Sequence, residues 1–238
     1  MRIFLLSAVF LFFISNTVQA QLTVFNVSSS QITSQGKVSV QQQLEVSDQI
    51  ESSTTATYGL GKGWEIGANL VNLDYGFDSR HFESNDSTTS IPYAPLLLLN
   101  GQKVFEISDM FSVGVGAIGG SSIRHLRSPK LVYYSYANLA AAFGPDQRYQ
   151  FAAGPYYGNH GYLSDGPVAG IQTGMDVGVW YEKLHFLADW VSGSHSKGRL
   201  TIGLEVFLSK RLPLSLGWQR SNVNGLQAAV FQLTFLPK

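Results

Sequence analysis

Six side chains able to carry charge or move protons, Glu45, Glu65, Asp176, His185, Asp189 and Glu205, stand singly in runs where apolar residues alternate with polar or small ones. On a sheet face turned to an enclosed interior, they do one of two things. In a water-filled passage, carboxylates favour cations and disfavour anions; in a filled interior, they pair with Arg or Lys and brace the wall. Four other histidines, His81, His125, His160 and His195, fall one each in polar stretches. Loops converging at a mouth can gather imidazoles around a metal, but none of the four has the short spacing of a ligand motif. Two Ser–His neighbourhoods, Ser194-His195-Ser196 and His160 with Ser164, raise acyl chemistry. That chemistry needs a base bonded to the nucleophile and a third group orienting the base, and no motif here fixes such geometry. With no P-loop, HExxH or GxSxG, the expectation is no catalytic residue, no metal and no cofactor.

The elements that position these residues read as strands. Leu200, Ile202, Leu204, Val206 and Leu208 share one parity, with Thr201, Gly203 and Glu205 between them. Leu214, Leu216 and Trp218 repeat the pattern, and Ala229, Phe231, Leu233 and Phe235 close it. A period of two means strands with one apolar and one polar or small face. Earlier runs over 37–46, 52–60, 64–70, 91–99, 111–118, 131–143, 149–157, 169–179 and 185–191 behave alike. The total is about twelve antiparallel strands, within about ten to fourteen, joined by turn-forming links. Short links fall mainly on one side and longer polar ones on the other, among them a polar loop over 74–90; 100–110 is long for the short side.

The first twenty residues combine Arg2, an apolar run from Ile3 to Ile14 and Val18-Gln19-Ala20, which predicts a cleaved secretory signal over 1–20. Segment 21–36 is polar and Ser-rich and reads as a periplasmic stretch, a lumen plug or an extra strand. The remainder, 37–238, is one domain. It has no Cys, 16 Lys+Arg against 16 Asp+Glu, 24 Gly and 13% aromatic residues. Zero net charge argues against nucleic acid as a partner. Only 13% of residues are charged, against roughly 25% in soluble domains.

These features predict an all-β fold: a transmembrane antiparallel up-and-down β-barrel in a bacterial outer membrane, in contact with lipid and with the barrel-insertion machinery. In lipid every backbone N–H and C=O must be paired, so a sheet there closes on itself. Trp64, Trp180, Trp190 and Trp218, with Tyr58, Tyr149, Tyr157 and Tyr181, fall near strand ends as an interfacial girdle would. The opposite face reads as polar or glycine, with no second apolar layer. By register the six residues named above point inward, with Tyr134, Tyr136 and Gln172. Gly114, Gly116, Gly174, Gly178, Gly203 and Gly217 leave inward space for large neighbours or for a passage.

The stretch TATYGLGKGWEIGANLVNL and the later ADWVSGSHSKGRLTIGLEVFLSKRLPLSLGWQ resemble the strand–turn–strand repeat of outer-membrane transporter barrels in the meta-pathway phenol-degradation family. Phe231, Leu233 and Phe235 resemble the terminal signal read by the insertion machinery, although this chain ends Leu236-Pro237-Lys238. The resemblance implies a channel or transporter for small solutes, apolar or aromatic ones among them. Two other readings stand beside it: a structural or adhesive barrel with a packed interior and partner-binding loops, and a lipid-modifying enzyme.

Overall fold

The computed structural model describes residues 24–28, 31–123, 130–180 and 183–237. The expected signal segment 1–20, His125 and Tyr181 lie outside them. Twelve strands follow in order: β1 (Val38–Val46), β2 (Gln49–Gly61), β3 (Trp64–Gly76), β4 (Leu96–Glu106), β5 (Phe111–Ser122) and β6 (Val132–Phe143). Then come β7 (Tyr149–Gly158), a helical turn α1 (His160–Leu163), β8 (Ala169–Trp180), β9 (Leu184–Val191), β10 (Arg199–Ser209), β11 (Leu212–Ser221) and β12 (Gln227–Phe235). Each strand pairs with its sequence neighbours, and β1 pairs antiparallel with β12 to close the barrel.

The wall is inverted relative to a soluble protein. Leu204 is 46% exposed and Phe231 44%, while Thr201 and Glu205 on the same sheet are buried. A two-layer sandwich would bury the first pair and expose the second. Apolar exposure in this alternating pattern around a closed sheet is what lipid solvates. All four Trp are exposed. Trp64 and Trp180 lie at one end of the barrel and Trp190 and Trp218 towards the other.

At the end where β1 begins, hereafter the turn end, the links are short: 62–63, 107–110, 144–148 and 210–211. Lys62 (φ 52) and Gly63 (φ 77) both take positive φ, the tight hairpin geometry whose twist matches the flanking strands. At the opposite, loop end lie 77–95, 159–168, 192–198 and 222–226, with a two-residue link at 47–48.

Two expectations are corrected. The strand expected over 91–99 is β4 at 96–106, so the short-side link is only 107–110 and its apparent excess length disappears. The long loop is accordingly 77–95, not 74–90. The inward face also carries apolar side chains: Leu96, Leu98, Val104, Val132, Leu187, Val191 and Val230 are all buried. They tolerate an inward position because the interior is filled by the chain itself, not by water alone.

Candidate functional site

Inward side chains of paired strands line up in rows across the sheet. Over β9 to β12 four rows succeed each other from the loop end to the turn end. Arg199 is in the first, with Asp189, Thr201 and Gln219 next. Leu187, Gly203, Gly217 and Val230 make the third, and His185, Glu205, Ser215 and Gln232 the fourth.

Residues 24–28 lie inside this surface. They form a reverse turn in which the Val27 N–H donates to the Val24 carbonyl at 2.9 Å. Phe25 at the turn has φ 42, a region a bulky L-residue enters only when its surroundings hold it there. The holding groups are identifiable. Asp189 accepts the Asn26 N–H at 2.5 Å and the Val27 N–H at 3.2 Å, and the Asn26 amide donates to Thr201 Oγ1 at 2.9 Å. The Phe25 ring covers Gly203 and Gly217, where an added Cβ would sit 2.7 and 2.9 Å from its Cζ. Val24 and Phe25 pack with Leu187 and Val230; Val27 packs with Tyr134, Tyr136, Tyr156, Leu163 and Val191. Towards the turn end, Gln31 donates to Gln150 at 2.7 Å and the Thr33 N–H to Glu65 at 2.6 Å. The Thr33, Ser39 and Thr57 hydroxyls form a closed triangle with sides of 2.7–2.9 Å.

Buried and half-buried charges gather towards the loop end. Arg199 pairs with Glu45 at 2.5 Å and donates to the Ser196 carbonyl at 2.6 Å; Gln219 donates to the same Glu45 oxygen at 2.8 Å. Lys197 pairs with Glu51 at 2.9 Å and donates to Asn72 at 2.7 Å. Burial, the largest influence, pulls the Lys197 ammonium down, but Glu51 beside it, together with Tyr162 and Glu45, outweighs burial and holds it above its ordinary value. Burial, then the nearby Arg199 and Lys197 charges, depress His195 to about 4. It therefore stands neutral near pH 7, with Nε2 2.6 Å from the Tyr156 hydroxyl.

The six residues singled out in the sequence all sit on inward-facing positions, each with a hydrogen-bond partner. Glu45 meets Arg199, Glu65 meets Thr33 and Asp189 meets the 24–27 turn. Asp176 Oδ1 is 2.6 Å from His185 Nδ1, and Glu205 accepts from Ser215 at 2.9 Å. Only Asp176, His185 and Glu205 are neighbours, with Asp176 Oδ2 and Glu205 Oε1 left without a partner among the described residues. Sequence reasoning misses Lys197, Arg199 and Glu51, although Arg199 shares the inward parity of Thr201 and Glu205 and so carries a usable signal. It also misses Asn26, Thr33 and Tyr156, whose partners lie far off in the chain.

The remaining candidates do not converge. His81 is exposed near Glu83, and His160 Nδ1 faces the Ser164 backbone carbonyl at 3.0 Å. The partner of His195 is the Tyr156 hydroxyl, so neither Ser–His neighbourhood forms a nucleophile–base pair. Among the described residues no group of three or more His, Cys, Asp or Glu side chains is placed to hold a metal. Space does remain at the turn end, where a cavity of about 1080 Å³ is lined by Val24, Thr33, Ser112, Gln147, Gln150 and Asp176.

No family model matches the chain, and no curated protein is similar to it. Among solved structures it is similar to the KdgM porin, with a TM-score of 0.56 and 11% identity over 83% of this chain and 98% of that one. The same values describe the KdgM porin in complex with disordered oligogalacturonate. An outer membrane channel from Pseudomonas putida F1 gives a looser likeness, with a TM-score of 0.48 and 10% identity over 87% of this chain and 98% of that one. At these identities what is shared is the fold: a closed antiparallel barrel of the outer-membrane type.

Proposed function

We propose that this chain is a bacterial outer-membrane channel for small solutes, held shut in the present conformation by its own residues 24–28 and 31–36. The observation that carries the reading is the turn-end cavity, which is lined by Val24 of the turn and by residues 31–35 of the same segment beside the barrel wall. The groups holding that turn, Asp189 and Thr201, act through hydrogen bonds that water can replace when the turn leaves. Withdrawal would uncover the rings of Tyr134, Tyr136 and Tyr156, a lining suited to solutes with an apolar or aromatic portion. Withdrawal would also strip Asp189 of its hydrogen bonds from the turn, and that carboxylate disfavours an anionic solute such as the oligogalacturonate seen with the KdgM porin.

The test is conductance in planar bilayers of the chain from Gln21, of the same chain lacking 24–36, and of Asp189→Ala. The expected result is a low or flickering conductance that becomes larger and steadier in both variants. Silence of all three, with the barrel folded, would dismiss the channel. It would favour the packed structural barrel, which the inward Arg199–Glu45 and Lys197–Glu51 pairs support.

A further inference from the structure

We propose a binding site for one anionic phospholipid on the outer wall over β4 to β7; the inference rests on the membrane reading above. The wall there is indented by a groove of about 800 Å³. Its floor is outward-facing and small: Gly101, Ala117, Ser135, Ala137 and Pro155. Paired register places Gly101 beside Ala117 and Ala117 beside Ser135, with Ala137 beside Val115 in the next row. The sides are Trp64, Phe105, Val115 and Tyr157, all exposed. This relief fits a flexible acyl chain better than a flat wall of Leu and Phe would.

What selects the occupant is Lys103, on the lipid-facing parity of β4 between the exposed Leu99 and Phe105 rows. Its ammonium lies 5.4 Å from the Trp64 ring centroid and 5.3 Å from that of Phe105, and it donates to the Lys62 carbonyl. The side chain thus reaches along the wall to the turn-end interface, the snorkelling expected of a lipid-exposed lysine. An apolar trough with one cation at its interfacial end matches an amphiphile with an acyl chain and an anionic head. A second copy of this chain would bring the same Lys103 and no compensating charge from this face. The phosphodiester of a phospholipid in the turn-end leaflet supplies that charge.

The experiment uses the full chain with Trp180, Trp190 and Trp218 changed to Phe, so that Trp64 alone reports. It is reconstituted in phosphatidylcholine bilayers containing either brominated phosphatidylglycerol or brominated phosphatidylcholine at equal mole fraction. Brominated acyl chains quench a Trp they touch. The relative association constant for phosphatidylglycerol is expected to be about fivefold higher, the effect of one basic side chain at an anionic surface. Lys103→Gln should bring the two lipids level, Lys103→Arg should keep the preference, and Ala117→Phe should reduce quenching by both. Equal quenching in the parent chain overturns the site and leaves the barrel reading intact. So does absence of quenching by either lipid in a folded barrel, which would mean that another polypeptide covers the groove. A chain that shows no heat-dependent gel shift and stays in the aqueous phase overturns both readings.

Discussion

Arg199 is buried and Glu45 nearly so, with 8% and 12% of their side chains exposed, and an uncompensated charge there meets little water. Truncating one partner of such a pair costs about 3–5 kcal/mol, while replacing both with apolar residues of similar volume is close to neutral. Arg199→Ala should therefore lower the unfolding midpoint in urea far more than Arg199→Met combined with Glu45→Met; equal losses would mean that the pair is solvated. His195 gives a second handle. Its folded value of about 4 lies below its ordinary 6.5, so the opened 192–198 loop binds a proton that the closed loop refuses. Loop closure is therefore full above pH 6.5 and weakens as pH falls from 6.5 towards 4. The protection of the 192–198 amides, taken relative to intrinsic exchange at each pH, should fall across that window in the parent chain and change little with His195→Gln. Both effects belong to single side chains and leave the strand register alone.

A strand carries two incompatible solvents on alternate residues, so single substitutions on β10 should differ sharply by parity. Leu204→Arg, outward and near mid-strand, should cost about 2–4 kcal/mol of barrel stability. Leu208→Arg, at the turn end, should cost far less, and urea unfolding in lipid vesicles measures both. Backbone approach sets another limit: a Cβ at Gly154 would come within 1.8 Å of the Ala137 carbonyl on the neighbouring strand. Gly154→Val should therefore prevent closure between β6 and β7, seen as loss of the heat-dependent gel shift. The same alternation makes most strands legible in the amino-acid sequence alone. β10, β11 and β12 read cleanly because Leu204 and Glu205 differ in kind as well as in direction. β4 reads several residues too early because Leu96 to Leu99 is apolar without a break, so parity carries no information there. Both of its faces do meet apolar surroundings, lipid outside and the Tyr93 and Val132 cluster within.

For the molecule as a whole, the sequence leaves open what fills the lumen, and physics explains why. Asn26 and Asp189 are separated by 163 positions, and no local pattern marks either as the other's partner. The inward carboxylates are identifiable by parity, but their neutralisation by Lys197, Arg199 and the 24–27 turn depends on closure bringing distant strands and loops together. The wall between two polar compartments presents its apolar residues outward to lipid. The native chain has no Cys, so single cysteines from 200 to 208 can each carry a nitroxide in reconstituted bilayers. Accessibility to oxygen, which dissolves in lipid, should peak at 202, 204 and 206 and fall at 201, 203 and 205. A reversed phase, or uniform accessibility to a water-soluble nickel relaxant along the whole of β10, would contradict the account.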